Sequence, residues 1–399
     1  LDRETDFFTA PGSARETVRA LAGDFRPDWI LQVDDSLPLP HLGLEDLPVP
    51  KAWWAVDTHL HWEWHRHFAP AFDVVFCAQR NRIPVLGAHR RGVEWLPLSF
   101  PYAPEFLPWD RREHDVSFVG TLDPAFHGAR IALLERLAAL GRPVHVAQGS
   151  CGPVYRASRV VINQSANDDL NARFFEAIGF GALLITDRIS HSLADIGEPG
   201  ADFLVYEPGD AEDLHAKIRW ALDHPEAAEA MARRANAKVA AGHLIGDRVR
   251  RVIRVLESAA SGAPPRGRML AHLAAAHEHL SRLTLPEPLV GFFASEARRL
   301  ALASLEAAPG GPYASMTLAQ LDLERGAYAE ALGRLQAAGG GEGEAGDSGE
   351  AYRRRYLFLM ALLQAHCGRL AEARRTVVAG LRDFPGDGDL VRLAAALGP

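Results

Sequence analysis

One stretch, residues 163–187, restricts the fold more than any other part of the chain. It reads NQSANDDLNARFFEAIGFGALLITD and follows the apolar run 160–162. A polar loop comes first, then a short helix, then two glycines and a second apolar run that leads into Asp187. Strand, loop, helix and strand in this order predict a βαβ unit with parallel strands. Ligands of open parallel sheets bind beyond the carboxyl ends of the strands, so the loop and the first helical turn are expected to line a site.

The predicted helix carries residue types that suit a nucleotide. The N–H groups of residues 170–173, together with the helix dipole, attract an anion such as a diphosphate. Arg173 adds a planar, charged fork. Glu176 lies about one turn beyond Arg173 on the same face, where a carboxylate accepts two ribose hydroxyls. The alternative is structural: Asp168 or Asp169 caps the helix, and Arg173 forms a surface ion pair with Glu176.

The pattern N-x-R-x-F-E-A-x-x-x-G-A-L-L-I-T-D resembles the C-terminal signature of CgeB-type (spore-maturation-protein-like) glycosyltransferases. These enzymes belong to the GT-B group, which uses nucleotide sugars. The resemblance spans about residues 50–258 and is strongest over 116–187. In retaining relatives, two glutamates are separated by seven residues; the second holds the ribose and the region of the first holds the donor sugar. The resemblance therefore implies a ribose contact for Glu176, Asn171 as part of the donor site and a sugar contact for Asp168. Because Asp168 is not a glutamate, retention and inversion both stay open.

The whole chain is predicted to be α/β, with strands at 29–33, 52–56, 72–77, 93–96, 116–119, 144–147, 160–162, 183–185 and 203–206. Alternating strands and helices indicate parallel sheets. The resemblance implies the GT-B fold, in which two Rossmann-like lobes face a cleft. We predict an acceptor lobe at 1–112, short for this fold and beginning with a helix at 14–22, and a nucleotide-sugar lobe at 113–258. A Pro/Gly linker follows at 259–267 and an all-α domain at 268–399.

The all-α part contains two similar segments, 318–335 and 359–381. In each, an apolar helix is followed by Gly-Ala-Tyr-Ala-Glu-Ala or Gly-Arg-Leu-Ala-Glu-Ala. Their spacing exceeds the tetratricopeptide period of about 34 residues, and the glycine-rich insert 339–349 absorbs the excess. A tetratricopeptide-like array of this kind binds a protein partner or acceptor through its concave face. The alternative is a helical cap that packs on the transferase.

Candidate acceptor-side residues follow the predicted strand 52–56. Asp57 or His59 suits the general base of an inverting reaction, or a contact with donor-sugar hydroxyls. The run His59-x-His61-x-Glu63-x-His65-x-His67 is also compatible with a metal site. The alternating histidines would share one face of a strand, and His61 and His65 would share one face of a helix. The tryptophans and the phenylalanine that alternate with it equally suit the aromatic wall of a sugar site. We therefore predict no metal.

Further candidate residues are predicted from their place in the chain relative to the strands. Gly120 and Thr121 follow the strand 116–119 and suit a phosphate contact, and Arg130 reaches the same region. Tyr155 lies where a nucleobase is expected. The structural alternative for Gly120 and Thr121 is a turn that ends the strand. The structural alternative for Arg130 is a solvent-exposed position at the start of a helix.

Composition excludes several classes of protein. The 399 residues carry a net charge of −8 without a long basic block, which speaks against a nucleic-acid or anionic-membrane partner. Three widely separated cysteines indicate neither a disulfide framework nor a structural zinc site and fit a reducing cytoplasm. No apolar run approaches the roughly 18 residues of a membrane helix. We expect a cytoplasmic, bacterial protein.

Together these features predict a glycosyltransferase that moves a sugar from a nucleotide-sugar co-substrate, preferably of the UDP type, without a tightly bound cofactor. The acceptor is a protein, a polysaccharide or a small molecule. Two rival functions stay open. A nucleotide-sugar epimerase or hydrolase uses the same residues without an acceptor, and a partner-binding scaffold with a degenerate transferase lobe binds no nucleotide sugar.

Overall fold

The computed structural model describes residues 27–34, 43–86, 92–259, 266–283, 285, 287–339 and 347–398. The helix predicted at 14–22 and most of the linker predicted at 259–267 lie outside these residues. The chain forms two compact units. The first takes its described residues from the stretch up to Phe76, from Ile83–Glu94 and from residue 266 onward; the second comprises Cys77–Arg82 and Trp95–Ala259. The three-domain division drawn from the sequence stays a prediction.

The strands lie close to where the apolar runs predict them. They are β1 (Ile30–Val33), β2 (Lys51–Ala55), β3 (Val74–Cys77), β4 (Glu94–Trp95), β5 (His114–Val119), β6 (His145–Ala147), β7 (Ser158–Asn163), β8 (Leu183–Asp187) and β9 (Leu204–Tyr206). The helices are α1 (Thr58–Phe68), α2 (Pro124–Ala139), α3 (Cys151–Arg156), α4 (Ala172–Gly179), α5 (Leu193–Ile196), α6 (Ala211–Asp223), α7 (Pro225–Gly242), α8 (Ile245–Ser258), α9 (Arg266–Leu280), α10 (Glu287–Ala307), α11 (Pro312–Glu324), α12 (Tyr328–Ala338), α13 (Asp347–His366), α14 (Leu370–Asp383) and α15 (Gly388–Leu397).

The strands form two Rossmann-like sheets, which confirms the predicted α/β class. The first has the order β1-β2-β3-β4, with β1 parallel to β2. Strands β2 and β3 are buried along their whole length, as expected for strands covered on both faces. The second sheet has the order β6-β5-β7-β8-β9, and every neighbouring pair is parallel.

The second sheet contains the βαβ unit predicted from residues 163–187. The chain leaves β7, forms α4 and returns as β8, parallel to β7. Helix α4 buries Phe174, Phe175 and Ile178 against the sheet. Because these apolar side chains fix the rotation of the helix, Arg173 and Glu176 remain only partly buried. Strand order reverses between β5 and β7. In open parallel sheets, ligands bind at the carboxyl ends of the strands beside such a switch point.

The helical part of the first unit contains the two similar segments. Helices α11 and α12 form one contacting pair, and α13 and α14 form another. The turns within the pairs contain Gly326 and Gly368, with φ of 76° and 75°, a conformation that favours glycine. The tetratricopeptide assignment stays a prediction, and residues 340–346 of the insert lie outside the described part. None of the described helices combines the length and the apolar character needed to cross a bilayer.

Candidate nucleotide-binding site

Arg173 connects the ends of the two strands that flank the switch point. Its Nε donates to the Val119 carbonyl at 2.9 Å, and its Nη1 donates to Asn163 Oδ1 at 2.9 Å. The Asn163 amide in turn donates to Thr186 Oγ1 at 3.0 Å, which fixes its orientation. The second terminal nitrogen, Nη2, makes no hydrogen bond to the described residues. The arginine is therefore held rigidly with one donor group left over.

A second guanidinium lies on the same aromatic ring. The Arg173 and Arg130 guanidinium carbons lie 4.8 and 5.4 Å from the centroid of Phe118. Arg130 Nη1 donates to the Thr121 carbonyl at 2.9 Å, whereas its buried Nε makes no hydrogen bond to a described residue. Burial and the charge of Arg173 lower the pKa of Arg130, yet guanidinium stays charged at neutral pH. Two clustered cations with spare donors favour an oxyanion.

Gly120 permits this cluster to form. A Cβ built on Gly120 would lie 2.7 Å from Arg173 Nη2 and 2.9 Å from the Phe118 ring. A side chain at this position would therefore displace the guanidinium that is left with a donor. The sequence predicts Gly120 and Thr121 as phosphate contacts, and the structure places both beside the arginine pair.

The start of α4 offers fewer free N–H groups than the sequence predicts. The Leu170 N–H donates to Gln79 Oε1 at 2.8 Å, so it is not available to a ligand. The helix is capped by Asn171, whose side chain accepts from the Phe174 N–H at 3.2 Å, and neither Asp168 nor Asp169 is the cap. The amides of Ala172 and Arg173 remain at the first turn, next to the Arg173 guanidinium.

Glu176 lies in the second turn of α4, where it interacts with Cys151 and Arg173. Burial raises the pKa of its carboxyl, and a hydrogen bond with Cys151 and the charge of Arg173 act in the opposite direction. The Cys151 thiol is affected reciprocally, since burial and Glu176 raise the pKa of Cys151 to about 12. A half-buried carboxylate beside a neutral thiol can accept hydrogen bonds from ligand hydroxyls.

Asp168 lies in a loop that is tied down on both sides. Its carboxylate accepts from Asn81 Nδ2 at 2.9 Å and from the Ser190 N–H at 2.6 Å, and also from the Ser190 hydroxyl. Asn167 and Asp168 both have positive φ, of 53° and 67°. Backbone strain of this kind persists where surrounding contacts hold it. The geometry gives Asp168 a role in shaping the loop, and its predicted sugar contact stays a prediction.

Tyr155 lies at the back of the site. Its side chain is fully buried, and its hydroxyl donates to the Val119 carbonyl at 3.4 Å. The phenol thus supports the end of β5, which also receives the Arg173 side chain. Its predicted contact with a nucleobase stays a prediction.

Asp57 and His59 belong to the first unit. Asp57 precedes α1, and His59 Nδ1 lies 4.0 Å from Asp57 Oδ1. The histidine run forms a helix, not a strand, and His65 is buried between Thr58 and Asp34. The described residues include no group of three His, Cys, Asp or Glu side chains placed to hold a metal. The catalytic roles predicted for Asp57 and His59 stay predictions.

The sequence analysis missed the polar segment that follows β3. Gln79 brackets Leu170 by accepting from its N–H and donating to its carbonyl at 3.4 Å, and Asn81 holds Asp168. Asp187 accepts from the Ser165 N–H at 2.8 Å and secures the other end of the loop. Gln79 and Asn81 could have been predicted, because they are polar residues that closely follow a buried strand. The same pattern predicted residues 163–171 as part of the site.

Comparison with known families covers part of the chain. Residues 125–254, which include the arginine pair, α4 and the loop, match the family model described as glycosyl transferase-like. No curated protein matches the chain.

Several solved structures are similar to parts of the chain. TarM is 11% identical, and the match covers 58% of this chain and 55% of TarM with a TM-score of 0.45. Anabaena HepE in complex with UDP and glucose is 13% identical, covering 53% of this chain and 72% of HepE with a TM-score of 0.44. The pneumococcal O-GlcNAc transferase GtfA, in complex with UDP and GlcNAc, is 12% identical, with 53% of each chain covered and a TM-score of 0.40. The chain thus spans about half the length of TarM and GtfA.

Proposed function

We propose that this protein is a glycosyltransferase that takes its sugar from a nucleotide-sugar donor, with a UDP-sugar as the first candidate. The observation that carries the proposal is the pair Arg130 and Arg173, stacked on one ring with unused donors at the switch point of a parallel sheet. The match of residues 125–254 to a glycosyl transferase-like family supports the same conclusion.

In the proposed reaction, the bond between the anomeric carbon and the diphosphate oxygen breaks, and the acceptor oxygen forms a new bond to that carbon. Negative charge develops on the leaving diphosphate. Arg173, Arg130 and the two free amides at the start of α4 stabilise that charge, and because they are held in place before the reaction they need little reorganisation. No metal is required in this scheme.

The remaining roles follow the same proposal. Glu176 accepts hydrogen bonds from the ribose hydroxyls and so positions the nucleotide. Asp168 contacts the donor sugar or shapes the loop that does so. The proton of the acceptor hydroxyl passes to a general base, for which Asp57 and His59 are the candidates if the anomeric configuration inverts. A protein acceptor bound to the helical repeats, a cytoplasmic location and the tetratricopeptide assignment belong to the proposal as well.

The proposal is tested by calorimetry and thermal shift with UDP, GDP, TDP and CMP and their common sugar conjugates. A ligand that binds only the folded state raises the unfolding temperature. We expect one nucleotide to bind wild type and to bind Glu176→Ala at least about tenfold more weakly, since hydrogen bonds to a charged group contribute about 1.5–3 kcal/mol. Glu257→Ala, at an exposed position of α8, is the matched control and should bind like wild type.

Donor turnover then separates the transferase from its rivals. Sugar release that needs no acceptor would favour a hydrolase or an epimerase. If none of these nucleotides binds well-folded protein, the nucleotide-sugar proposal is wrong.

A further inference from the structure

A second pocket lies within the first unit, among α1, α9, α11 and α13. Its volume is about 490 Å³, within the range of about 300–1,000 Å³ that small-molecule sites occupy. It is lined by charged and aromatic side chains, among them Trp62, Arg66, Tyr313, Tyr352 and Arg355. Neither its walls nor its chemistry belongs to the site at the second sheet.

Most charges of this pocket are already paired. Arg355 lies 2.8 Å from Glu278 Oε2 and Arg282 lies 2.9 Å from Glu278 Oε1, and Glu278 is fully buried. Arg354 Nη1 lies 3.4 Å from the Asp387 carboxylate. These three arginines are therefore neutralised by acidic partners within the fold.

Arg66 differs from the other arginines of the pocket. It forms no ion pair with a described acidic residue within 4 Å; its Nε donates to His67 Nε2 at 3.3 Å, and its guanidinium carbon lies 5.4 Å from the centroid of Trp62. Burial and the charges of Arg355, Arg354 and Arg282 lower the pKa of Arg66, and the charge of Glu63 acts in the opposite direction. Since guanidinium remains charged, a half-buried cation is left whose two terminal nitrogens have no described acceptor.

The pocket wall also contains a buried hydroxyl without a partner. Tyr352 is 2% exposed, and its hydroxyl makes no hydrogen bond among the described residues. Leaving a buried hydroxyl unpaired is unfavourable, because its hydrogen bonds to water are not replaced. A ligand oxyanion bound by both groups would give the terminal nitrogens of Arg66 an acceptor and would also pair the Tyr352 hydroxyl.

Two carboxylates, those of Glu63 and Asp389, also line the pocket. Glu63 Oε2 lies 3.2 Å from His279 Nε2, and Asp389 Oδ1 pairs with Arg392, so each carboxylate keeps one oxygen without a described partner. These oxygens repel anions and accept hydrogen bonds from hydroxyls. Trp62 and Tyr313 contribute aromatic rings to the same lining. A matching ligand thus combines an anion for Arg66 with ring hydroxyl groups for the carboxylates.

We propose that this pocket binds a phosphorylated sugar, with its phosphate on Arg66 and the Tyr352 hydroxyl and its hydroxyl groups on Glu63 and Asp389. The site is independent of the proposed transferase reaction, because it lies within the first unit and needs no nucleotide. It gives the first unit a ligand of its own.

Calorimetry on the full chain tests the proposal with glucose 6-phosphate, glucose and inorganic phosphate. We expect glucose 6-phosphate to bind more tightly than either of the other two. Tyr352→Phe should weaken that binding about tenfold, because a hydrogen bond to a charged oxygen is lost. The unliganded variant should be as stable as wild type or more stable, since an unpaired hydroxyl has been removed. Tyr356→Phe, the same change one turn along α13 and outside the pocket lining, should alter neither property.

A second variant addresses the charge. Arg66→Gln should weaken binding of glucose 6-phosphate at least about tenfold, whereas Arg353→Gln, whose arginine pairs with Asp383 outside the pocket, should not. Arg173→Ala should retain the binding. The proposal is overturned if glucose 6-phosphate does not bind at millimolar concentration, if Tyr352→Phe binds it as wild type does, or if Arg173→Ala abolishes the binding.

Discussion

Two sets of buried ionisable groups, one in each compact unit, differ in charge state. In the first unit, burial lowers the pKa of a set of histidines, which are therefore neutral at pH 7: His65, His67, His272, His277 and His279. In the second unit, burial lowers the pKa of Arg130, whose guanidinium stays charged at pH 7, and raises the pKa of Glu176 and Asp187. A neutral imidazole is compatible with a packed core, whereas a partly buried guanidinium needs hydrogen-bond acceptors, which Arg130 and Arg173 find only in part among the described residues. The comparison separates groups that serve packing from groups that await a ligand.

The largest effect is expected from Arg173→Ala. Donor turnover should fall by about 10²–10³-fold, because the substitution removes a fixed donor to the developing charge. The free energy of unfolding should also fall by about 1–3 kcal/mol, since the Val119 carbonyl and Asn163 Oδ1 lose their donor. Turnover assays and denaturant unfolding measure the two effects. Arg188→Ala, which removes an exposed partner of Glu207, should leave turnover unchanged. Unchanged turnover in Arg173→Ala would break the comparison.

The second-largest effect is expected from a substitution that fills the space beside the Arg173 guanidinium. Gly120→Ala should weaken nucleotide binding about tenfold, because the new Cβ would lie 2.7 Å from Arg173 Nη2 and the arginine must move. Gly128→Ala is the matched control, since a Cβ there meets no atom within 4 Å. The control should bind normally and be slightly more stable, because alanine suits a helix better than glycine. Equal nucleotide affinities for the two variants would show that the position of Arg173 is unimportant for binding.

Glu176→Gln tests whether the raised pKa of Glu176 makes the stability of the second unit depend on pH. Because burial raises the pKa of Glu176 above its usual 4.5, the folded state holds this proton more tightly than the unfolded state. The contribution of Glu176 to stability is therefore present at low pH and is lost as the pH rises from about 4.5 through the raised value. At pH 7 the glutamine variant should unfold at a higher temperature than wild type, and the difference should shrink toward pH 4. Nucleotide binding should weaken in the same variant. A variant that is less stable at pH 7 would contradict this account.

The smallest effect is expected from mild acid. The unfolded chain takes up protons on its histidines below about pH 6.5, whereas the five histidines named above have lowered pKa values in the folded first unit and resist protonation. The first unit should therefore lose stability as the pH falls from 7 to 5. The second unit contains His243, whose pKa is lowered to about 4, but Glu176 and Asp187 act in the opposite direction.

Hydrogen exchange, corrected for intrinsic rates, measures this difference. Protection should fall more in α9 than in α6 between pH 7 and pH 5. His272→Gln, which removes a histidine with a pKa of about 3, should reduce the loss, whereas His224→Gln at an exposed position should not. An equal loss of protection in α9 and α6 would show that the buried histidines do not make the first unit more sensitive to acid than the second.

Local sequence was sufficient to predict the βαβ unit and the helix face on which Arg173 and Glu176 lie. Apolar runs bounded by polar residues and glycines fix β7, α4 and β8, because each element is specified by its own neighbours. The face that presents Arg173 and Glu176 follows from the buried positions Phe174, Phe175 and Ile178.

Only the tertiary structure determines which polar groups form hydrogen bonds with one another. Gln79 occupies the Leu170 N–H, and Asn81 holds Asp168, across 91 and 87 residues of sequence. Arg66 and Tyr352 likewise come from distant helices to line one pocket. Such pairings depend on how separate segments pack, and local patterns contain no information about the distance between them. The sequence therefore determines which groups are available, and the fold determines which of them are left free for a ligand.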